Sequence, residues 1–297
     1  MNEFDVHQRN YRMLLALFGL WIGAIVVIQF VVNPIFVASF YGLDGLKGIW
    51  DQKVPDFTIW QMRIINMVSL PIMFVAPPLI LSRIFQEPAR HIIGSYRRPP
   101  STLLVLGFAA IILCLPFIYM SNEVNQQLPL PDDAWKMEEE IGKVQNDMIY
   151  QPGWLAMAGN FFLIALVAPV AEELFFRGGM QKLVYRITDS PHVAIIVSAA
   201  AFSAIHMEFA GFIPRMILGM VLGYMAFWSG NIIIPIFCHA IFNGGQLALV
   251  YLLKQEVIGD PEQVSIPFYL SLFSMITTTL VLKQFYTRTI IKPDIPT

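Results

Sequence analysis

Charge is what this sequence has least of. Asp, Glu, Lys and Arg make up 13% of its 297 residues, about half the roughly 25% usual in soluble domains. That shortage excludes an ordinary water-soluble surface, and a mean hydropathy of +0.61 agrees. Nor does one sign dominate. The net charge is -2, which offers little to neutralise a row of phosphates, so nucleic acid is excluded as a partner. Cysteine is scarce as well. Cys114 and Cys238 both lie in apolar runs, which excludes a disulfide framework or a metal knuckle and makes them small buried hydrophobes. There is no internal repeat and no low-complexity tract. No His-Glu-x-x-His occurs, so a metalloprotease of the site-2 type is excluded.

Long apolar runs are there instead. A helix needs ~20 apolar residues to cross a bilayer. Met13–Leu43 contains no charged residue, is longer than a signal-peptide core and lacks a clear cleavage site, so it reads as a retained transmembrane helix. Ile64–Ser82 is a second run, with Pro71, Pro77 and Pro78 inside it. Such prolines are tolerated where neighbouring helices satisfy the freed carbonyls. Further spans are expected at Ser101–Met120, Met148–Ala171, Ser190–Met207, Phe209–Gly230, Ile232–Leu253 and Gln263–Leu282. The expected fold class is therefore an all-α, polytopic membrane helix bundle of about eight transmembrane helices. Three portions are expected: 1–150 with three spans and an extracytoplasmic segment, 151–255 with the polar core helices, and 256–297 with the last span and a tail.

Eight spans put both termini on one side, and the positive-inside rule chooses it. With the N-terminus inside, the inner segments hold Arg9, Arg12, Arg83, Arg90, Arg97, Arg98, Arg177, Lys182, Arg186, Lys283, Arg288 and Lys292. The segment 121–151 then falls outside and is mostly acidic, including "KMEEE" at 136–140. It reads as an amphipathic stretch lying on the surface. The expectation is an integral, multi-pass protein of the lipid bilayer, of the cell membrane in a prokaryote, with both termini cytoplasmic.

Few ionisable residues remain inside the spans, and such residues are functional candidates in a bilayer. Glu172, Glu173 and Arg177 lie in the fourth span, His206 ends the fifth, and His239 lies in the seventh with Asn243 one turn later. Glu173 and Arg177 are i and i+4 and can pair. Glu172 is rotated by ~100° from Glu173, so one acid is held by the arginine and the other points elsewhere. Pro169 cannot donate to the helix ladder and opens room at Glu172. "FSAIH" sets Phe202 and His206, and "HAIFN" sets His239 and Asn243, each pair at i and i+4 on one face. Measured from the expected inner edges, Glu172 lies ~21 Å deep, His206 ~24 Å, His239 ~12 Å and Asn243 ~18 Å. One Glu, two His and one Asn thus gather at an intermediate depth.

Such a set suits amide hydrolysis. The Glu can serve as general base for water, a neutral imidazole can orient that water or bind a metal, and His239 and Asn243 can donate to an oxyanion. Glu172, His206 and His239 would also make a two-His, one-carboxylate zinc site with an open position. Other polar groups read as structural. His7, His91 and His192 read as surface or interfacial, and Glu208 and Arg215 as snorkelling groups near the outer rim. "WSG" at 228–230 reads as a tight turn. Ser203 stands i to i+3 from His206, poor geometry for an activated nucleophile, and no Gly-x-Ser-Gly surrounds it.

At these positions the sequence resembles the CPBP family of intramembrane proteases, also called the CAAX protease and bacteriocin-processing, or Abi, family. The family's Glu-Glu-x-x-x-Arg, Phe-x-x-x-His and His-x-x-x-Asn/Asp motifs stand here as "EELFFR" (172–177), "FSAIH" (202–206) and "HAIFN" (239–243). The resemblance covers about 150–250. It implies that Glu172 and His206 activate the attacking water and that His239 and Asn243 stabilise the oxyanion. Glu173, Arg177 and Phe202 then act in support. It implies an endopeptidase acting on a membrane protein or lipidated peptide, prenylated or CAAX-like, either metal-free or with Zn2+. Two other classes use the same residues. A proton-coupled transporter would show repeated halves, and a non-catalytic scaffold or immunity-type protein would act by binding alone.

Overall fold

The computed structural model describes residues 3–50, 58–129, 131–149, 152–254 and 266–289. Residues 263–265 of the expected last span and Lys292 lie outside them. Apart from one isolated parallel bridge between Ser95 and Asn231, the regular structure among the described residues is helical. We number the helices α1 (Phe4–Lys47), α2 (Ile59–Ile84), α3 (Ala89–Ile93), α4 (Ser101–Gln126), α5 (Asp132–Ile149), α6 (Trp154–Thr188), α7 (Pro191–Ala204), α8 (Phe212–Ser229), α9 (Ile233–Lys254) and α10 (Phe268–Thr289). Seven of them, all but α3, α5 and α7, are long and apolar enough to cross a membrane.

Local chemistry sets several ends. Thr58 opens α2 with a reciprocal capping box, its Oγ1 accepting from Gln61 N and Gln61 Oε1 accepting from Thr58 N, which satisfies two otherwise orphan donors. Ser190 caps α7 ahead of Pro191, whose fixed φ suits a first helical position. Gly230 closes α8 at φ +60, so the expected turn at 228–230 is a left-handed helix stop.

The expected fifth span, Ser190–Met207, needs correction. Its helix has 14 residues and ends at Ala204, ~21 Å of rise against a hydrocarbon core of ~30 Å. Beyond Ala204 the chain makes a turn with Met207 at φ +56 and then a short 3-10 stretch, Phe209–Gly211. The polar pair Glu208–Arg215 takes the place of further apolar helix.

The chain still passes eight times between two ends. At one end Arg9 donates to the Phe85 carbonyl, Arg186 pairs with Glu87 at 2.8 Å, and Asn231 donates to the Arg97 carbonyl at 2.7 Å. Trp228 meets Tyr286 of α10 at this same end. At the other end Asn125 donates to the Phe209 carbonyl, and Glu138 of α5 accepts from the N–H groups of Phe209 and Ala210 at 2.8 and 3.1 Å. Gln145 and Arg215 both bond Glu208 there. Of the surface stretch expected at 121–151, residues 121–126 instead complete α4 and 132–149 form α5, strapped across the loop that comes after α7, while 130, 150 and 151 lie outside the described residues.

Two apolar clusters build the bundle. One joins α1, α2, α6 and α7 through Met13, Leu17, Phe74, Leu81, Phe175, Phe176 and Phe202. The other joins α4, α8, α9 and α10 through Ala110, Ile111, Leu222, Met225, Cys238 and Phe285. Large side chains such as Leu15, Phe30 and Phe268 face outward and stay exposed, the pattern of a surface that meets lipid. Around Pro116 in α4, Ser271 of α10 donates to the Pro116 carbonyl at 3.2 Å, and Ser274 donates to the Leu113 carbonyl.

Candidate active site

The site lies where the two clusters meet, and α6 carries its acids. This helix is not uniform. Phe161–Val167 and Leu174–Met180 are π-helical, and the α-helical turn Ala168–Glu173 sits between them. Short π segments inside long helices recur at functional sites. Glu172 is 8% exposed, Glu173 0%, Arg177 2% and His239 2%, so four groups able to carry charge share a nearly closed space. Burial on this scale is tolerable only where the groups pair and hydrogen-bond.

They do so as a chain. Arg177 Nη1 lies 2.9 Å from Glu173 Oε1. The same oxygen lies 2.9 Å from His239 Nδ1. His239 Nε2 in turn lies 3.8 Å from Glu172 Oε2. Glu173 is therefore shared between an arginine on its own helix and a histidine on α9. The Arg177–Glu173 contact is an ion pair by distance, but no N–H is aimed along it, and both Nη1 and Glu173 Oε2 lack a hydrogen bond. The other arm of the guanidinium is better placed, Nη2 donating to the Gly219 carbonyl at 3.1 Å.

A carboxylate only accepts, so His239 donates Nδ1–H to Glu173, and in the neutral imidazole Nε2 then carries a lone pair toward Glu172. The 3.8 Å gap is too long for a direct hydrogen bond and short enough for one water to touch both groups.

Phe202 is the hub of the remaining contacts. The Arg177 guanidinium lies 4.7 Å from its ring centre, and the rings of Phe176, His206 and His239 lie at 5.4, 5.1 and 5.7 Å, all edge-on. His206 lies in the turn just past α7, and its Nδ1 bonds the Phe202 carbonyl at 2.8 Å. Its Nε2 therefore also presents a lone pair in the neutral form. His206 is half-buried, and so is Asn243, whose Nδ2 donates to the Ile164 carbonyl at 2.9 Å. The structure thus links Glu173, Arg177 and His239 directly and sets Glu172 3.8 Å from His239. His206 joins them across the Phe202 ring, and Asn243 one turn along α9. The imidazole within 4 Å of the Glu172 carboxylate is that of His239. Ser203 is engaged elsewhere, donating to the Phe212 carbonyl at 2.7 Å.

The zinc site expected at Glu172, His206 and His239 is met only in part. Glu172 and His239 could both reach one ion at the ~2.0–2.2 Å typical of zinc. Among the described residues, however, no three His, Cys, Asp or Glu side chains come together to hold a metal.

Supporting residues emerge that the motifs do not contain. Gln181, one turn after Arg177, donates to the Gly223 carbonyl at 3.0 Å. Arg177 and Gln181 thus form two rungs on Gly219 and Gly223 of α8. The "GMVLG" at 219–223 is a small-xxx-small stripe, the available sequence signal for such close packing. A Cβ at Gly219 would lie 3.0 Å from Ala199 Cβ and 3.2 Å from Ala199 Cα on α7. Gly219→Ala is therefore expected to push α7 off α8 and to destabilise the fold by ~1–3 kcal/mol, the usual cost of overpacking. Unfolding of the purified variant in detergent measures this, and an unchanged stability would contradict the packing. A second buried polar group lies about three turns toward the opposite end. Arg63 donates to Asn160 Oδ1 and to the Met148 carbonyl, both at 2.9 Å, and Asn160 also donates to Tyr251 Oη at 3.0 Å.

Comparison with known proteins meets this geometry on the same residues. Residues 154–245 match the family model described as type II CAAX prenyl endopeptidase Rce1-like. This segment runs from the start of α6 into α9 and contains all three motifs, so the similarity falls on the residues that carry the motif resemblance. The uncharacterized protein YpbD of Bacillus subtilis (strain 168) is 30% identical over 86 residues, 28% of this chain and 40% of that protein. The chain therefore aligns with less than half of that relative's length. No solved structure matches.

Proposed function

We propose that this protein is an intramembrane endopeptidase that hydrolyses a peptide bond of a membrane-associated, prenylated or CAAX-like substrate. One observation carries the reading: a buried carboxylate, Glu172, faces the Nε2 of an imidazole whose Nδ1 is held by a second carboxylate. A water in that gap would give a proton to Glu172 as its oxygen attacks the substrate carbonyl carbon. The C–N bond of the resulting tetrahedral species breaks, and the proton on Glu172 passes to the departing amine, so Glu172 returns to its starting state. His239 orients the water through Nε2 while Glu173 fixes the ring. His206 stands beside the same space at the end of α7, held against the Phe202 ring and carbonyl. Arg177 holds Glu173 and leaves Glu172 as the carboxylate that exchanges the proton.

The Rce1-like segment supports this reading. We further propose that the end of the bundle holding Arg9, Arg97 and Arg186 faces the cytoplasm, because basic loops stay there. Zinc is the rival for water activation, and the described donors do not complete its site. Purified protein in liposomes is expected to cleave a farnesylated peptide ending in Cys-aliphatic-aliphatic-X, with the rate unchanged by a strong chelator. Absence of product would reject the endopeptidase reading. Loss of activity that returns with Zn2+ would transfer the chemistry to a metal.

A further inference from the structure

Asn243 is engaged with the backbone of another helix. The π-helical register of Phe161–Val167 ends with the N–H of Ala168 bonded to the Leu163 carbonyl. Its next rung would run from residue 169 to the Ile164 carbonyl. Residue 169 is proline and has no N–H to give. The Ile164 carbonyl is met instead by Asn243 Nδ2, reaching across from α9 at 2.9 Å. Asn243 thus occupies the place of the backbone donor that Pro169 removes.

We propose that Asn243 is a positioning residue: it supplies the hydrogen bond missing at Pro169 and so holds the turn Ala168–Glu173, with Glu172 on it, against the helix that carries His239. An unmet carbonyl in a water-poor interior is costly enough to move the backbone until it finds a donor. Glu172 stands three residues from the gap, so such a shift displaces the carboxylate directly. The hold has two points. On α9, His239 grips Glu173 and Asn243, one turn further on, grips Ile164.

The hydrogen-bond reading rests on the fold alone, and its effect on turnover rests on the endopeptidase reading, so the experiment has two arms. The first compares unfolding midpoints, in detergent, of wild type, Asn243→Ala, Pro169→Ala and the double variant. Asn243→Ala is expected to lower the midpoint by about 2–4 °C. In the Pro169→Ala background, where α6 regains an N–H, the same change is expected to lower it by less than half as much. Equal losses in the two backgrounds overturn the proposal. If Pro169→Ala does not fold, Asn243→Leu keeps the volume without the donor and is expected to match Asn243→Ala. A wild-type midpoint for Asn243→Leu overturns it.

The second arm measures hydrolysis of the farnesylated peptide. Asn243→Ala is expected to lose roughly 10²-fold in kcat, as small misplacements of a reacting group do, with KM little changed. The double variant is expected to regain most of that loss. A recovered midpoint without recovered kcat overturns positioning and gives Asn243 a direct contact with the substrate. A wild type that cleaves nothing rejects the endopeptidase reading and leaves the midpoints to decide the hydrogen bond.

Discussion

Glu172→Gln is expected to fold as the wild type does and to lose at least ~10² in the rate of peptide cleavage, the lower range of a general base's contribution. The amide keeps the shape of the side chain and an oxygen toward His239, so the bundle has no reason to change. What it lacks is an atom that takes a proton from water at neutral pH. The other uses of this residue make different demands. A protein acting by binding alone would tolerate the change, because fold and surface are the same. A proton-coupled transporter would lose transport, but its wild type would cleave no peptide. Cleavage in liposomes by wild type and Glu172→Gln, side by side with their unfolding midpoints, separates these outcomes. Full activity in a folded Glu172→Gln protein would remove Glu172 from the chemistry.

The next largest effect is expected at the shared carboxylate. Glu173 holds Arg177 on one side and His239 on the other, all within a nearly closed space. Arg177→Ala leaves a buried anion without its cation, and Glu173→Ala leaves a buried guanidinium without its anion. Breaking one side of a buried pair costs ~3–5 kcal/mol, a large share of a typical fold's margin. Both variants are therefore expected to give less folded protein, with unfolding midpoints well below that of the wild type. Arg177→Lys is expected to recover only part of the loss, because an ammonium lacks the planar fork that reaches Glu173 and the Gly219 carbonyl together. Glu173→Gln is expected to be milder in stability, since its amide oxygen still accepts from His239 Nδ1. Equilibrium unfolding in mixed micelles decides the matter. Wild-type stability for both alanine variants would show that the pairing does not support the fold.

How far the sequence revealed this site depends on the distance over which each contact acts. The Glu173–Arg177 pair was legible because i and i+4 fix it locally, whatever surrounds the helix. The gap at Pro169 was legible for the same reason. Its partner was not, since nothing in "HAIFN" says that Asn243 meets residue 164 on another helix. The contact between His239 and Glu173 was hidden likewise; spacing alone left both acids open to it. Bundle architecture followed from hydropathy over long runs, and seven spans appear at the expected places. The fifth came out shorter because a window of mean hydropathy passes over His206, Met207 and Glu208 without noticing that the backbone turns there. Gln181 was hidden for another reason. Its role depends on how closely α8 approaches, and that approach rests on glycines that carry no chemistry of their own.

The brevity of α7 has a consequence for the surrounding lipid. Val193, Ile196 and Val197 are 42, 44 and 41% exposed on this helix, so acyl chains press against an element ~9 Å shorter than the hydrocarbon core. A bilayer adapts to such a mismatch by thinning locally, at a cost of fractions of a kcal/mol per Å. The thin patch would sit beside the turn that carries His206 and would bring headgroups and their hydration toward the acids. Lipid thickness is thereby part of the site. Long saturated tails would resist the dimple, and short or disordered tails would favour it.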